Sequence, residues 1–155
     1  MTFAALVQTC LDRIRQAKAS LIYLLGADDA GKTTLAKELA NQLILENKKV
    51  AIIDADPGQS SRLPLTLSLN YADKQFNNFS ELMLADWDFM PGYNLLRCFQ
   101  RYIKIMERWT KIARQETGYC FVDSNGDVRK LLKLKEVKIL KPDLLIALQR
   151  KSELE

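Results

Sequence analysis

Between residues 26 and 33 the chain reads Gly26-Ala27-Asp28-Asp29-Ala30-Gly31-Lys32-Thr33, a G-x4-G-K-[ST] spacing. The segment follows a short apolar run, Leu21-Ile22-Tyr23-Leu24-Leu25, and opens a stretch rich in Ala, Leu, Lys and Glu that reaches about Leu45. It therefore joins a buried strand to a helix. Its glycines let the backbone curl until successive N–H groups face inward, and the positive end of the helix adds to that field. The alternative, a glycine-rich turn that binds nothing, leaves the Lys-Thr pair in register with strand and helix unexplained. Residues Gly26 to Gly31, with Lys32, Thr33 and Thr34, are thus expected to hold the phosphates of a nucleotide. Lys32 would bridge the β- and γ-phosphates, and Thr33 would offer its hydroxyl to Mg²⁺.

The surrounding pattern sets the class. Val50-Ala51-Ile52-Ile53, Tyr119-Cys120-Phe121-Val122 and Leu144-Leu145-Ile146-Ala147-Leu148 are further apolar runs without polar alternation. Helical spacing over 3–17, 31–45, 93–116 and 128–140 separates the strands. This predicts an α/β fold, a parallel sheet with helices on both faces. Residues 57–78 carry mixed signals with Ser and Asn clusters and are expected to form loop plus short elements; 150–155 reads as the opening of a further helix. The 155 residues leave room for a single domain, 1–155, with an N-terminal amphipathic helix over 1–18.

Composition narrows the chemistry. There is no histidine, which excludes Ser-His-Asp and Cys-His nucleophile pairs and His-ligated metals. Acid–base work must come from carboxylates, Lys, Tyr or water. Three widely separated cysteines, Cys10, Cys98 and Cys120, predict buried reduced thiols and an intracellular chain. No apolar run approaches the roughly 18–20 residues of a membrane span, and Met1-Thr2-Phe3-Ala4-Ala5 lacks the basic start of a signal peptide. The net charge of +4 is compatible with a polyanionic partner without establishing one.

Asp54-Ala55-Asp56-Pro57-Gly58-Gln59-Ser60 follows the second strand directly. Two carboxylates one residue apart at a strand's C-terminal end face the crevice where the phosphate loop opens. Beside a Mg²⁺-nucleotide, one can hold the metal's water shell while the other takes a proton from an attacking hydroxyl. The plainer reading, that both only cap the strand and bind structural water, stays open on these residues alone.

Here the chain resembles a known family, the polynucleotide 5′-hydroxyl kinases related to the messenger-RNA cleavage and polyadenylation factor, whose relatives include ribosomal-RNA-processing and archaeal RNA kinases. The family phrase of an acidic residue, any residue, Asp, any residue, Gly-Gln is met by Asp54 to Gln59. Gly31 to Leu35 with Leu39-Ala40-Asn41, Pro91-Gly92, Asp123-Ser124-Asn125-Gly126, Leu134-Lys135 and Lys141-Pro142-Asp143 also look like family segments. The resemblance runs from about residue 20 to 150. It implies a P-loop NTPase fold and transfer of the γ-phosphate of ATP, with Mg²⁺, to a 5′-OH end of RNA or DNA. Asp56 would then be the base, Lys32 would stabilise the transferring group, and Thr33, Asp54 and Asp123 would surround the metal. Gln59 and the Ser60-Ser61-Arg62 run lie where the acceptor end should enter, with Arg62 either a phosphate clamp or a merely solvated side chain, and RNA-processing proteins are the implied partners.

Departures from the family pattern qualify the activity. Asn125 stands where a hydroxyl residue is common, and the usual Pro-Pro-like pair is reduced to Leu63-Pro64. The family's Arg-bearing lid and C-terminal domain would lie beyond Glu155; losing a lid arginine costs on the order of 10³-fold or more in transfer. Two other readings follow: an ATP-binding scaffold of an RNA-processing complex, and a partition- or signal-recognition-type switch NTPase. Ala27, in place of the signature Lys of partition ATPases, counts against the latter. Trp87, in an expected Asp86-Trp87-Asp88 loop, is the better candidate for base stacking, whereas Trp109 falls on an apolar stripe and reads as core. Arg97, Arg101, Lys104, Arg108 and Lys111 form a cationic stripe, either solvated or set against an RNA backbone. Lys130, Lys133, Lys135, Lys138 and Lys141 read as solvated.

Overall fold

The computed structural model describes residues 2–92, 94–126 and 130–149. In chain order the elements are α1 (Phe3–Gln16), β1 (Leu21–Leu25), α2 (Lys32–Leu45), β2 (Val50–Ala55), β3 (Thr66–Ala72), a 3-10 turn (Phe79–Glu81), β4 (Met83–Phe89), α3 (Leu95–Glu116), β5 (Tyr119–Ser124), α4 (Lys130–Leu140) and β6 (Leu144–Ala147). They build one six-stranded sheet in the order β4-β3-β2-β5-β1-β6. The four apolar runs, β2, β5, β1 and β6, are mutually parallel as their pattern predicts. β3 and β4 add an antiparallel margin beyond β2.

Within 57–78, where loop plus short elements are expected, the short element is β3, and β4 corrects the expectation of a loop around Trp87. Thr66-Leu67-Ser68-Leu69-Asn70-Tyr71 alternates polar and apolar, the period of a strand. Leu67, Leu69 and Tyr71 join the core on the α3 face, whereas Ser68 and Asn70 are buried on the other face. The Ser and Asn residues that look like loop signals are thus the second face of β3. Tyr93, Val128 and the segment 150–155 lie outside the described residues.

Two cores flank the sheet. On one face Val7, Leu11 and Ile14 of α1 and Leu35, Leu39 and Leu43 of α2 cover Ile22, Leu24 and Ile52. On the other, α3 lays Ile103, Met106, Trp109 and Ala113 against Tyr23, Ala51, Ile53 and Val122. Trp109 is fully buried, as its place on the stripe predicts, and its indole N–H donates to Asp86 (2.8 Å). Arg108 and Arg101 pair with Asp86 and Asp88 of β4, so two of the five stripe cations fasten α3 to the sheet margin. All three cysteines are free; Cys10 and Cys120 are buried and Cys98 is half-buried. No helix among the described residues is long and apolar enough to cross a membrane.

The expectation of a solvated α4 is corrected at Lys133. Lys133 and Glu136 are both buried, 3.3 Å apart, and Glu136 also accepts from the Tyr102 hydroxyl (2.6 Å). Lys133 in turn donates to the Tyr23 hydroxyl (3.1 Å). The ion pair locks α4 to α3 and β1.

The sheet end opposite the phosphate loop is tied by Asp143. One carboxylate oxygen accepts from the amides of Ser20 (2.9 Å) and Leu21 (2.8 Å) and from the Ser20 hydroxyl (2.9 Å), and Arg114 pairs with the same group (2.9 Å). Burial alone would raise its pKa, but these bonds outweigh it and hold the carboxyl at about 2. Because the folded value lies below the unfolded one, Asp143 stabilises the fold above about pH 4, and this contribution is lost as pH falls toward about 2. With the carboxylate about a third exposed, Asp143→Asn should cost about 1–2 kcal/mol at neutral pH. It should also flatten the acid limb of the stability curve, read by urea unfolding at pH 7, 4 and 2.5.

Candidate active site

The loop after β1 is held between two strand exits. A Cβ at Gly26 would lie 2.7 Å from the Leu148 carbonyl beyond β6, and one at Gly126, past β5, would lie 2.7 Å from the Asp28 amide. Only glycine permits both approaches. Gly31 takes a positive φ of 95°, turning the chain into α2 without a side-chain cap, so the first amides of α2 are left facing the cleft. Lys32 is buried in the curl, its ammonium donating to the carbonyls of Gly26 (2.9 Å) and Ala27 (2.8 Å).

The acids meet this loop through the sheet. Asp54 on β2 and Asp123 on β5 are paired in register, placing both side chains on the α2 face. The Thr33 hydroxyl donates to Asp123 Oδ2 (2.5 Å). The other oxygen, Oδ1, is buried and takes no hydrogen bond among the described residues. Burial pushes Asp123 up to about 7, with Asp54 and Asp56 adding to the rise and the Thr33 hydroxyl and Lys32 ammonium opposing it. Burial likewise raises Asp54, against hydrogen bonds from the Ser61 hydroxyl (2.6 Å) and amide (2.8 Å). Asp54 thereby organises the turn that carries Asp56. Asp56 Oδ1 accepts from the amides of Gly58 (2.9 Å) and Gln59 (3.3 Å); among the described residues no hydrogen bond goes to Oδ2.

These groups line one cleft of about 820 Å³ together with Gln59, Ser61 and the segment 77–80. Among the described residues no three acid or thiol side chains close a metal site unaided. A buried orphan carboxylate oxygen beside a Thr hydroxyl nevertheless suits Mg²⁺, which commonly takes one or two protein oxygens and completes its shell with phosphates and water.

The structure brings most of the expected residues together. Lys32, Thr33, Thr34, Asp54, Asp56, Gln59 and Asp123 line the cleft with Asp29 and Gly31. Arg62 does not. Its guanidinium bonds Asn70 Oδ1 (2.9 Å) and the Leu82 carbonyl (2.6 Å), so it ties the 59–65 loop to β3 and the 3-10 turn instead of clamping phosphate. Trp87 is exposed on β4, away from the cleft walls. Ser61, in the run expected at the acceptor's entry, also lines it, and sequence reasoning missed Lys37, Asn77, Asn78 and Ser80, which do so too. Lys37 carried a signal, one helical turn after Thr33 on the same face; the others reach the cleft only through tertiary contacts.

Residues 26–155 match the family described as mRNA cleavage and polyadenylation factor CLP1 P-loop. The chain belongs to the CLP1 P-loop family. Its similar proteins include a polyribonucleotide 5′-hydroxyl-kinase of Pyrococcus furiosus, 39% identical over 141 residues, covering 88% of this chain and 40% of the relative. Another, from Methanocaldococcus jannaschii, is 36% identical over 138 residues, covering 86% and 38%. The CLP1 P-loop chain thus spans about 40% of the length of these relatives. A solved chain from a study of the Pcf11p–Clp1p interface superposes with a TM-score of 0.67 over 94% of this chain and 42% of its own, at 13% identity, and shows the same fold. The family expected from the Asp54–Gln59 phrase is the one found.

Proposed function

We propose that this CLP1 P-loop chain carries the nucleotide site and base of an ATP-dependent polyribonucleotide 5′-hydroxyl kinase that works inside the cell. One observation carries the reading: Asp56 shares a single cleft with the phosphate loop and the Thr33–Asp123 pair. The kinase names of the archaeal relatives support it.

Asp56 Oδ2 would accept the proton of the 5′-hydroxyl as the oxygen bonds the γ-phosphorus. The bond from that phosphorus to the β,γ-bridging oxygen breaks, and ADP leaves with the electron pair. Lys32, drawn from its loop carbonyls to the phosphates, neutralises charge on the transferring group. Thr33 and Asp123, with Asp54 through water, would hold Mg²⁺. When bound, that ion supplies neutralisation of the triphosphate charge.

The test is incubation with γ-labelled ATP, Mg²⁺ and 5′-OH oligonucleotides of both sugar types. Label on the RNA end is the expected result. Free labelled phosphate with no labelled oligonucleotide would mark a switch-type NTPase, and bound ATP without turnover a scaffold; either overturns the proposal.

A further inference from the structure

We infer that the half of the cleft beyond the phosphate loop is a subsite for the phosphodiester on the 3′ side of the acceptor's first nucleotide, with Lys37 as its cation. This rests on the kinase reading above. Thr33, Lys37 and Asn41 stand at successive four-residue steps along one face of α2, each step about 6 Å. Thr33 marks the acid end, through its bond to Asp123. Asn41 marks the far end. Its side-chain amide donates to the Phe76 carbonyl (2.9 Å) and its oxygen accepts the Phe76 amide (3.1 Å), fixing the 76–80 segment as the opposite wall.

Lys37 lies between those ends. Its only ion pair among the described residues is with the adjacent Glu38 at 3.6 Å, both side chains part-exposed. Neighbours one residue apart do not face each other on a helix, so this pair leaves the ammonium available to the groove. Across from it stand Asn77, Asn78 and Ser80, neutral hydrogen-bonding groups. Glu81 holds the first two through the Asn77 amide (3.1 Å) and the Asn78 side chain (3.2 Å). The carboxylates that line the cleft, Asp29, Asp54, Asp56 and Asp123, lie with the phosphate loop, β2 and β5; at the Lys37 end the lining offers a cation and amides, and Glu38 and Glu81, which bond to them, are not part of it. A sugar whose 5′-oxygen reaches Asp56 would direct its 3′-oxygen about one helical turn away, toward Lys37. A cation there separates a polynucleotide from a free nucleoside, which has no 3′-phosphate.

The experiment compares adenosine 3′-phosphate with adenosine as acceptors for γ-labelled ATP, using the whole chain. In parallel, binding of a fluorescent 5′-OH oligoribonucleotide is followed against salt. The unsubstituted chain should favour the 3′-phosphorylated acceptor. Lys37→Gln should cut the ratio of the two kcat/KM values about tenfold, and Lys37→Arg should restore it. The slope of log affinity against log salt should fall by about 0.7 in Lys37→Gln, one phosphate contact. A ratio unchanged in Lys37→Gln, or an equal loss on both acceptors, overturns the subsite. Should the unsubstituted chain transfer no phosphate, the kinase reading falls and the slope decides alone: a fall of about 0.7 supports the subsite and an unchanged slope overturns it.

Discussion

Asp56→Asn should lower phosphate transfer to a 5′-OH oligoribonucleotide by about 10²–10⁴-fold, the usual worth of a positioned general base. The substitution is suited to the site. Asp56 Oδ1 holds the amides of Gly58 and Gln59, and an asparagine carbonyl oxygen can accept the same two bonds. The turn between β2 and the 59–65 loop therefore survives, while the group offered to the hydroxyl becomes an amide that cannot take its proton. Nucleotide affinity should stay within about threefold, because the phosphate cradle is built from Gly26 to Thr34 and not from this side chain. Single-turnover transfer and fluorescent-nucleotide titration read the two quantities separately. Undiminished transfer would remove Asp56 from the chemistry; lost nucleotide binding would assign it to the cradle.

The largest stability loss is expected at Glu136→Ala, about 3–5 kcal/mol. Lys133 and Glu136 are both buried. Truncating the carboxylate takes away the buried negative charge 3.3 Å from the Lys133 ammonium and the acceptor of the Tyr102 hydroxyl. Burial already pushes the pKa values of Tyr23 and Tyr102 well up, so neither hydroxyl can supply the missing negative charge near neutral pH. The paired replacement Lys133→Met with Glu136→Leu removes both charges together and should recover most of the loss. Urea unfolding of the two single variants and the double measures this directly. A loss below about 1 kcal/mol in Glu136→Ala would mean that the pair contributes little to anchoring α4.

The strands that carry the site were legible because they are buried on both faces. Leu21–Leu25, Val50–Ile53 and Tyr119–Val122 hold no polar alternation, and each delivers its chemistry at its C-terminal end. β3 was obscured because its second face is buried yet polar: Ser68 and Asn70 lie under the 59–65 loop, where Arg62 bonds Asn70. A rule that reads Ser and Asn as loop fails where those side chains satisfy one another inside the protein, as Asn70 does with Ser68. The place of Arg62 is hidden in the sequence for the same reason, since its partners include carbonyls 17–20 residues away. Lys133 reads as one of a scatter of lysines until Tyr102 and Tyr23, distant in sequence, are placed beside it. In the cleft, Lys32, Thr33, Asp54 and Asp56 were fixed by local spacing, while Asn77, Asn78 and Ser80 depend on the Asn41–Phe76 contact across 35 residues.

A triphosphate held by the loop after β1 should present its terminal phosphorus to Asp56. A crystal structure of the chain with Mg²⁺ and a non-hydrolysable ATP analogue tests this most directly. The γ-phosphate is expected at Lys32 Nζ, with Thr33 and Asp123 around the metal and Asp56 Oδ2 facing the γ-phosphorus across space for one hydroxyl. An analogue bound with its γ-phosphate turned away from Asp56, or bound outside the loop of Gly26 to Thr33, would contradict it.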